Sequence, residues 1–219
     1  MPVQIDNVML FSGGLDSTTL LWALAPNVKA LLVDYGQRHH VELEHAAELC
    51  VDARVGFDIV DLSHINPLIA TGSQAGRDEV PEGHYAEESM RATVVPNRNM
   101  IMLAIAIGHA VKIGAYKVQL AVHAGDHAVY PDCRPEFISA MNEAAILGNA
   151  WTPVRVIAPY IHMTKAQIVR LGTMIHVPYE KTWSCYKGLQ FHCGKCGTCV
   201  ERREAFQLAE VKDPTIYAF

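Results

Sequence analysis

Short apolar runs alternate with stretches of helical spacing through most of the chain. Residues 7–11 are brief and apolar, as a strand buried on both faces should be. A helix over 16–25 follows and stops at Pro26. Residues 28–34 read as a second strand, with Lys29 as a polar interruption. Residues 40–54 return to helical spacing, with Val41, Leu43, Ala47 and Cys50 available to a core. Residues 56–62 predict a third strand, 97–113 a long apolar helix closed by Gly114, and 116–122 a fourth strand. Pro135 suits the first turn of a helix reaching about Leu147, and 154–158 make a fifth strand. Thr164-x-x-Gln167 has the form of a capping box, so a helix should begin at Lys165 and end near Gly172. Strands alternating with helices predict an α/β fold: a doubly wound, parallel, five-stranded sheet covered on both faces. Residues 63–95 form a long polar stretch, a candidate lid within the α/β domain at 1–180. Residues 181–219 read as a small metal-binding and helical segment.

Composition narrows the function classes. The chain has 219 residues, half of them hydrophobic, and a formal net charge of −5. It has no basic run of the kind that grips a nucleic-acid backbone, so nucleic acid is not the expected partner. The longest apolar run, 100–107, suits a buried helix and is too short to cross a bilayer. The first eight residues lack the pattern of a signal peptide, and the expected location is the cytoplasm.

Ser12-Gly13-Gly14-Leu15-Asp16-Ser17 follows the first strand and opens the first helix. The glycines permit a tight turn, and successive amides with a helix N-terminus make an anion nest. Ser12, Ser17 and Thr18 add hydroxyls. Asp16 is compatible with phosphate when a magnesium ion lies between them. A bland alternative is a plain strand-to-helix turn with a polar cap. The pattern lacks the Gly-Lys-Ser/Thr ending of a Walker loop, and it resembles the pyrophosphate loop of the ATP-pyrophosphatase superfamily. Residues 33–37 end the second strand, where ligands of open parallel sheets sit, or else they form an ordinary turn.

Cys185, Cys193, Cys196 and Cys199 fall within fifteen residues of a chain that has six cysteines. This spacing suits a closed tetrahedral zinc site of structural type. An iron–sulfur cluster is the competing reading, though no proline follows Cys199. His192 lies beside the set as a possible replacement ligand. Cys50 reads as a core residue, and Cys133 as a packing or binding residue more readily than a catalytic thiol.

Five motifs together resemble the 7-cyano-7-deazaguanine synthase family, QueC. They are Phe11-Ser12-Gly13-Gly14-Leu15-Asp16-Ser17-Thr18-Thr19, Asp34-Tyr35-Gly36-Gln37-Arg38-His39, Val95-Pro96-Asn97-Arg98-Asn99, Tyr130-Pro131-Asp132-Cys133-Arg134 and Trp183-Ser184-Cys185-Tyr186. The resemblance implies an adenine-nucleotide hydrolase-like (HUP) fold and a homodimer. It also implies a ligase that uses ATP, magnesium and ammonia to turn 7-carboxy-7-deazaguanine into the nitrile. On this resemblance the ATP site comprises Leu10, Phe11, Ser12, Gly13, Gly14, Leu15, Asp16, Ser17, Thr18, Thr19 and Leu20, with Val33 and Tyr35. Asp16, Arg98 and Lys165 are the candidate catalytic residues, Asp16 through magnesium and the two cations through phosphate or developing charge. Lys165 opens a helix, where a cation is disfavoured unless an anion is near. Asp126, His127, Asp132 and Arg134 are candidates for the polar edge of the deazaguanine. Members commonly carry glycine where this chain has Asn97, and the 122–127 loop is a variable form. Three rivals predict other outcomes: an enzyme that stops at the 7-amide, a superfamily member that modifies a tRNA base, and a non-catalytic zinc- and nucleotide-binding protein.

Overall fold

The protein is described from a computed structural model over residues 4–36, 41–69, 80–83, 90, 93–187 and 190–218. Five strands, β1 (Asn7–Leu10), β2 (Val28–Asp34), β3 (Phe57–Asp61), β4 (Lys117–Gln119) and β5 (Arg155–Ile157), form one sheet in the order β3-β2-β1-β4-β5. Every pairing is parallel. The strands are joined through α1 (Leu15–Leu24), α2 (Val41–Asp52), α3 (Asn66–Ile69), α4 (Arg98–Ile113) and α5 (Pro135–Gly148), and α6 (Lys165–Met174) and α7 (Gly197–Ala209) follow.

Strand alternation divides the core into two layers. Val8 and Leu31 point to one face and pack with Leu103, Ala106 and Ile107 of α4 and Ile138 and Met141 of α5. Met9, Ala30 and Leu32 point to the other face, against Leu20 and Leu21 of α1, Leu49 of α2, Ile168 of α6 and Phe206 of α7. Burial on both faces is why the central strands read as continuous apolar runs. The expected lid lies largely outside the described residues, as do Gln37, Arg38 and His39.

The strands β4 and β5 are shorter than the apolar runs predict. The Leu120 N–H still donates to the Ile157 carbonyl at 3.2 Å, but no ladder bond follows. The chain then turns into a 3₁₀ segment, Ala124–Ala128, capped reciprocally by His123 and Asp126. Ala121 and Val122 thereby leave the sheet and line a cavity. The capping box at Thr164 forms as expected, with the Thr164 N–H donating to Gln167 Oε1 at 2.8 Å.

Helix α6 meets Tyr179 across Gly172. A methyl there would begin 1.9 Å from Tyr179 Oη and 2.9 Å from Thr19 Oγ1. Tyr179 cannot swing aside cheaply: its hydroxyl bonds Thr19 Oγ1 at 2.9 Å and the Ile168 carbonyl at 3.2 Å. Gly172→Ala is expected to cost about 1–3 kcal/mol through overpacking. Each kcal/mol should lower Tm by roughly 2–4 °C in a chain of this size. An unchanged melting curve would refute this packing.

Candidate ATP site and metal centre

The crevice between β1 and β4 is where the sheet order reverses, and the glycine turn sits there. Gly13 is left-handed, with φ of 75°. A side chain on it would also begin 3.0 Å from the Ala46 Cα, so glycine is required twice over. Gly14 is the N-cap of α1 and has no side-chain cap of its own. Ser12 Oγ and Ser17 Oγ are hydrogen-bonded to each other at 3.1 Å, and Ser17 Oγ donates to the Gly14 carbonyl at 3.2 Å. The turn thus presents two hydroxyls and a helix N-terminus to the crevice.

A cavity of about 250 Å³ opens beside this turn at the carboxyl ends of β1, β2 and β4. Leu10, Phe11, Val33, Leu120 and Val122 give it apolar walls, and Ser12, Gly14, Asp16 and Ser17 form a polar edge. Arg98, Tyr35, Tyr130 and Tyr186 also line it. The Arg98 guanidinium lies 5.8 Å from the ring centres of both Tyr35 and Tyr130, within cation–π range. Burial pushes the Tyr35 phenol up to about 12, and it lines the cavity as a neutral hydroxyl. Arg98 opens α4 from Asn97, which takes the left-handed conformation at φ of 56°. Asparagine is one of the few side chains that accepts this region readily.

Asp16, on the first turn of α1, meets Lys165 from the first turn of α6, Asp16 Oδ2 lying 3.3 Å from Lys165 Nζ. Glu201 of α7 pairs with the same ammonium. The anions that a cation at a helix N-terminus demands are therefore carboxylates of the protein itself. Burial alone would lower the Lys165 pKa, but Asp16, Glu201 and Asp126 more than offset it and hold the ammonium well above its ordinary value. His123 is almost fully buried beside them. Its Nδ1 accepts the Gly125 N–H at 3.0 Å, and its Nε2 lies 3.8, 3.7 and 3.9 Å from Asp16, Asp126 and Glu201 oxygens. Among the described residues, buried Asp16 Oδ1 has no hydrogen-bond partner.

The remaining expected site residues divide. Thr18, Thr19, Leu15 and Leu20 are buried behind the turn, and Thr19 Oγ1 is bonded to the Leu15 carbonyl and Tyr179. Asp126 lines the cavity, whereas His127, Asp132 and Arg134 do not. Asp132 Oδ2 instead accepts the Asn99 N–H at 3.1 Å and caps α4. Arg134, exposed, donates to the His127 carbonyl at 2.9 Å. Cys133 is buried on the cavity wall, and burial drives its thiol far above the ordinary range, which suits packing rather than nucleophilic attack. Tyr130, Tyr186 and Glu201 carried no individual role in the sequence. Their convergence depends on packing between distant segments.

The four C-terminal cysteines converge completely. Their sulfurs all lie within 4.8 Å of one another, and every one is buried. The backbone N–H of Cys193 donates to Cys185 Sγ at 3.3 Å, and that of Cys196 to Cys193 Sγ at 3.3 Å. Cys193 and Cys199 sulfurs are 4.0 Å apart. Tetrahedral bonds of about 2.3 Å to zinc would place sulfurs roughly 3.8 Å apart, so the set fits a four-coordinate ion. His192 is not needed as a ligand, since its Nε2 accepts the Ser184 N–H at 3.0 Å.

Known proteins agree with this geometry. The profile of the family described as "Queuosine biosynthesis protein QueC" matches residues 6–210. A 7-cyano-7-deazaguanine synthase of Archaeoglobus fulgidus is 53% identical over 212 residues, covering 95% of this chain and 89% of that one. One of Hahella chejuensis is 50% identical over 96% of this chain and 92% of its own. Among solved structures, NMN synthetase of Francisella tularensis shares the fold at a TM-score of 0.53 and 14% identity, covering 99% of this chain and 80% of its own. The U34-tRNA thiolase NcsA of Methanococcus maripaludis, solved with its [4Fe-4S] cluster, shares it at 0.50 and 18%, over 95% and 73%. Parallel sheet, glycine turn and near-complete sequence coverage agree: the chain belongs to the QueC family of queuosine biosynthesis proteins.

Proposed function

We propose that this chain is a 7-cyano-7-deazaguanine synthase, an ATP-dependent ligase that joins 7-carboxy-7-deazaguanine and ammonia and carries the product on to the nitrile. The observation that carries this reading is the single cavity wall on which the glycine turn, Asp16 and an Arg98 flanked by tyrosines meet. One surface then offers a phosphate cradle and an aromatic-lined slot for a planar ring.

A carboxylate is a poor electrophile, so its oxygen first attacks the α-phosphate of ATP, giving acyl-adenylate and diphosphate. Ammonia displaces AMP and leaves the amide. The amide oxygen attacks a second α-phosphate and expels a second diphosphate; departure of that oxygen with AMP, with loss of both amide N–H protons, leaves the nitrile. Both activations present an oxygen to the same phosphorus position, so one site serves both. The turn amides, Ser12 and Ser17 bind the β- and γ-phosphates, and Arg98 orients the acid or balances charge on the α-phosphate. Lys165, held protonated by Asp16 and Glu201, supplies fixed positive charge beside the turn. Asp126 faces the ring from the cavity wall. Asp16 would hold magnesium, which its unpartnered Oδ1 suits, and the ion would screen the polyphosphate charge. Cys185, Cys193, Cys196 and Cys199 would hold one structural zinc.

Mass spectrometry of products tests the reading, starting from protein, ATP, magnesium, ammonium and 7-carboxy-7-deazaguanine. Nitrile with AMP is expected. Amide alone would assign the chain to the shorter reaction, and no turnover by folded, metal-loaded protein would refute the substrate assignment.

A further inference from the structure

We infer that Arg202 is a positioning residue through which the metal-bearing helix sets the direction of the Gly14 N–H in the pyrophosphate turn. The inference rests on the reading of residues 12–17 as the ATP turn.

Helix α7 starts at the metal centre: Cys196 is its N-cap and Cys199 lies in its first turn. Arg202 follows on the next turn and is only 1% exposed. Its Nη1 donates to Thr182 Oγ1 at 2.7 Å and Ser184 Oγ at 3.1 Å, and its Nη2 donates to the Tyr179 carbonyl at 2.8 Å. Its Nε faces Asp213 Oδ1 at 3.5 Å. Three of these four acceptors belong to residues 179–184, the stretch that ends at the ligand Cys185. A buried guanidinium with a single, long carboxylate contact is an expensive way to fill space. Its distinguishing property is a rigid fork that fixes several acceptors at once.

The stretch so fixed reaches the turn directly. The Trp183 N–H donates to the Gly13 carbonyl at 3.0 Å. The Gly13–Gly14 peptide is planar and trans, so pinning its carbonyl on one side aims its N–H to the other. That N–H faces Ser12 Oγ at a long 3.4 Å and is a natural donor to phosphate. Trp183 is itself anchored toward the metal, with its Nε1 donating to the Cys185 carbonyl at 2.9 Å. Both ends of the 179–185 stretch thus refer to the cysteine cluster, one through Cys185 and the other through Arg202. The metal centre acts as a fixed point for the nucleotide turn, not only as a staple for the C-terminal segment.

The test compares wild type with Arg202→Lys, which keeps the charge but loses the fork. Metal content and thermal unfolding are measured first, then affinity for α,β-methylene-ATP by calorimetry, and KM for each substrate. Arg202→Lys is expected to retain its metal and bind the analogue about tenfold more weakly. KM for ATP should rise similarly, with kcat and KM for the acid nearly unchanged. Thr182→Val, which removes one acceptor of Arg202 together with the hydroxyl's own 2.8 Å bond to the Tyr179 carbonyl, should give a smaller loss of the same kind and guards against a Lys variant that fails to fold. Equal weakening toward both substrates would overturn the inference, because it would indicate a general structural role. Wild-type affinity in a metal-loaded Arg202→Lys would also overturn it while leaving the ATP reading intact. Failure of wild type to bind the analogue would remove both.

Discussion

Asp16→Asn is expected to lower kcat by roughly 10²–10³, the scale seen when a preorganised electrostatic group is removed from an active site. The exchange is nearly isosteric, so the first turn of α1 keeps its shape. What changes is charge and donor pattern: Asn replaces a carboxylate oxygen with an amide that repels a cation. The unpartnered Oδ1 of Asp16 is the atom concerned. Lys165 would retain Glu201 as its counter-ion, so the fold should tolerate the exchange. The signature is a magnesium requirement shifted to higher concentration together with the fall in kcat, and a melting temperature close to wild type. Full activity in Asp16→Asn at limiting magnesium would remove Asp16 from the mechanism.

The second large effect concerns the cysteines. Cys199→Ser is expected to lose the bound metal and lower Tm by roughly 10 °C or more, since structural zinc contributes about 10–16 kcal/mol of apparent binding energy in small sites. Without an ion the four buried sulfurs, all within 4.8 Å of one another, lose the centre that joins them. All four sulfurs lie in a buried cluster with Trp183 and Val80, so solvent cannot relieve them. Elemental analysis of wild type should return one zinc per chain and no iron. Metal-free wild type of unchanged stability would contradict the structural role, and iron would replace zinc in the assignment.

Much of this architecture was legible because its causes are local. A sheet covered on both faces demands short apolar runs, and residues 28–34 supply one that became β2 unchanged. The glycine turn at 12–17 announces itself because Gly13 needs a left-handed backbone and close approach to Ala46. The capping box at Thr164 is complete within four residues. The cysteine cluster was also legible, since its ligands are close in sequence. The less legible part is long-range. Lys165 and Glu201 are 36 positions apart and meet only because α6 packs on α7. Tyr35, Tyr130 and Tyr186 converge from three segments, and periodicity in one segment says nothing of the others. Asp132 lies in a polar loop, and nothing in that loop's own sequence announces that its carboxylate accepts the Asn99 N–H at the start of α4. The early ends of β4 and β5 were hidden too, because Ala121 and Val122 are as apolar as strand residues.

Asn97 bears on how chains of this kind are recognised. The entrance to α4 is specified by a dihedral angle, and asparagine meets that specification as glycine does. A pattern written in letters would count the position as a mismatch, whereas one written in backbone conformation would count it as kept. Substitutions between those two residues here are therefore synonyms of shape, and divergence at this position carries little information about divergence in chemistry.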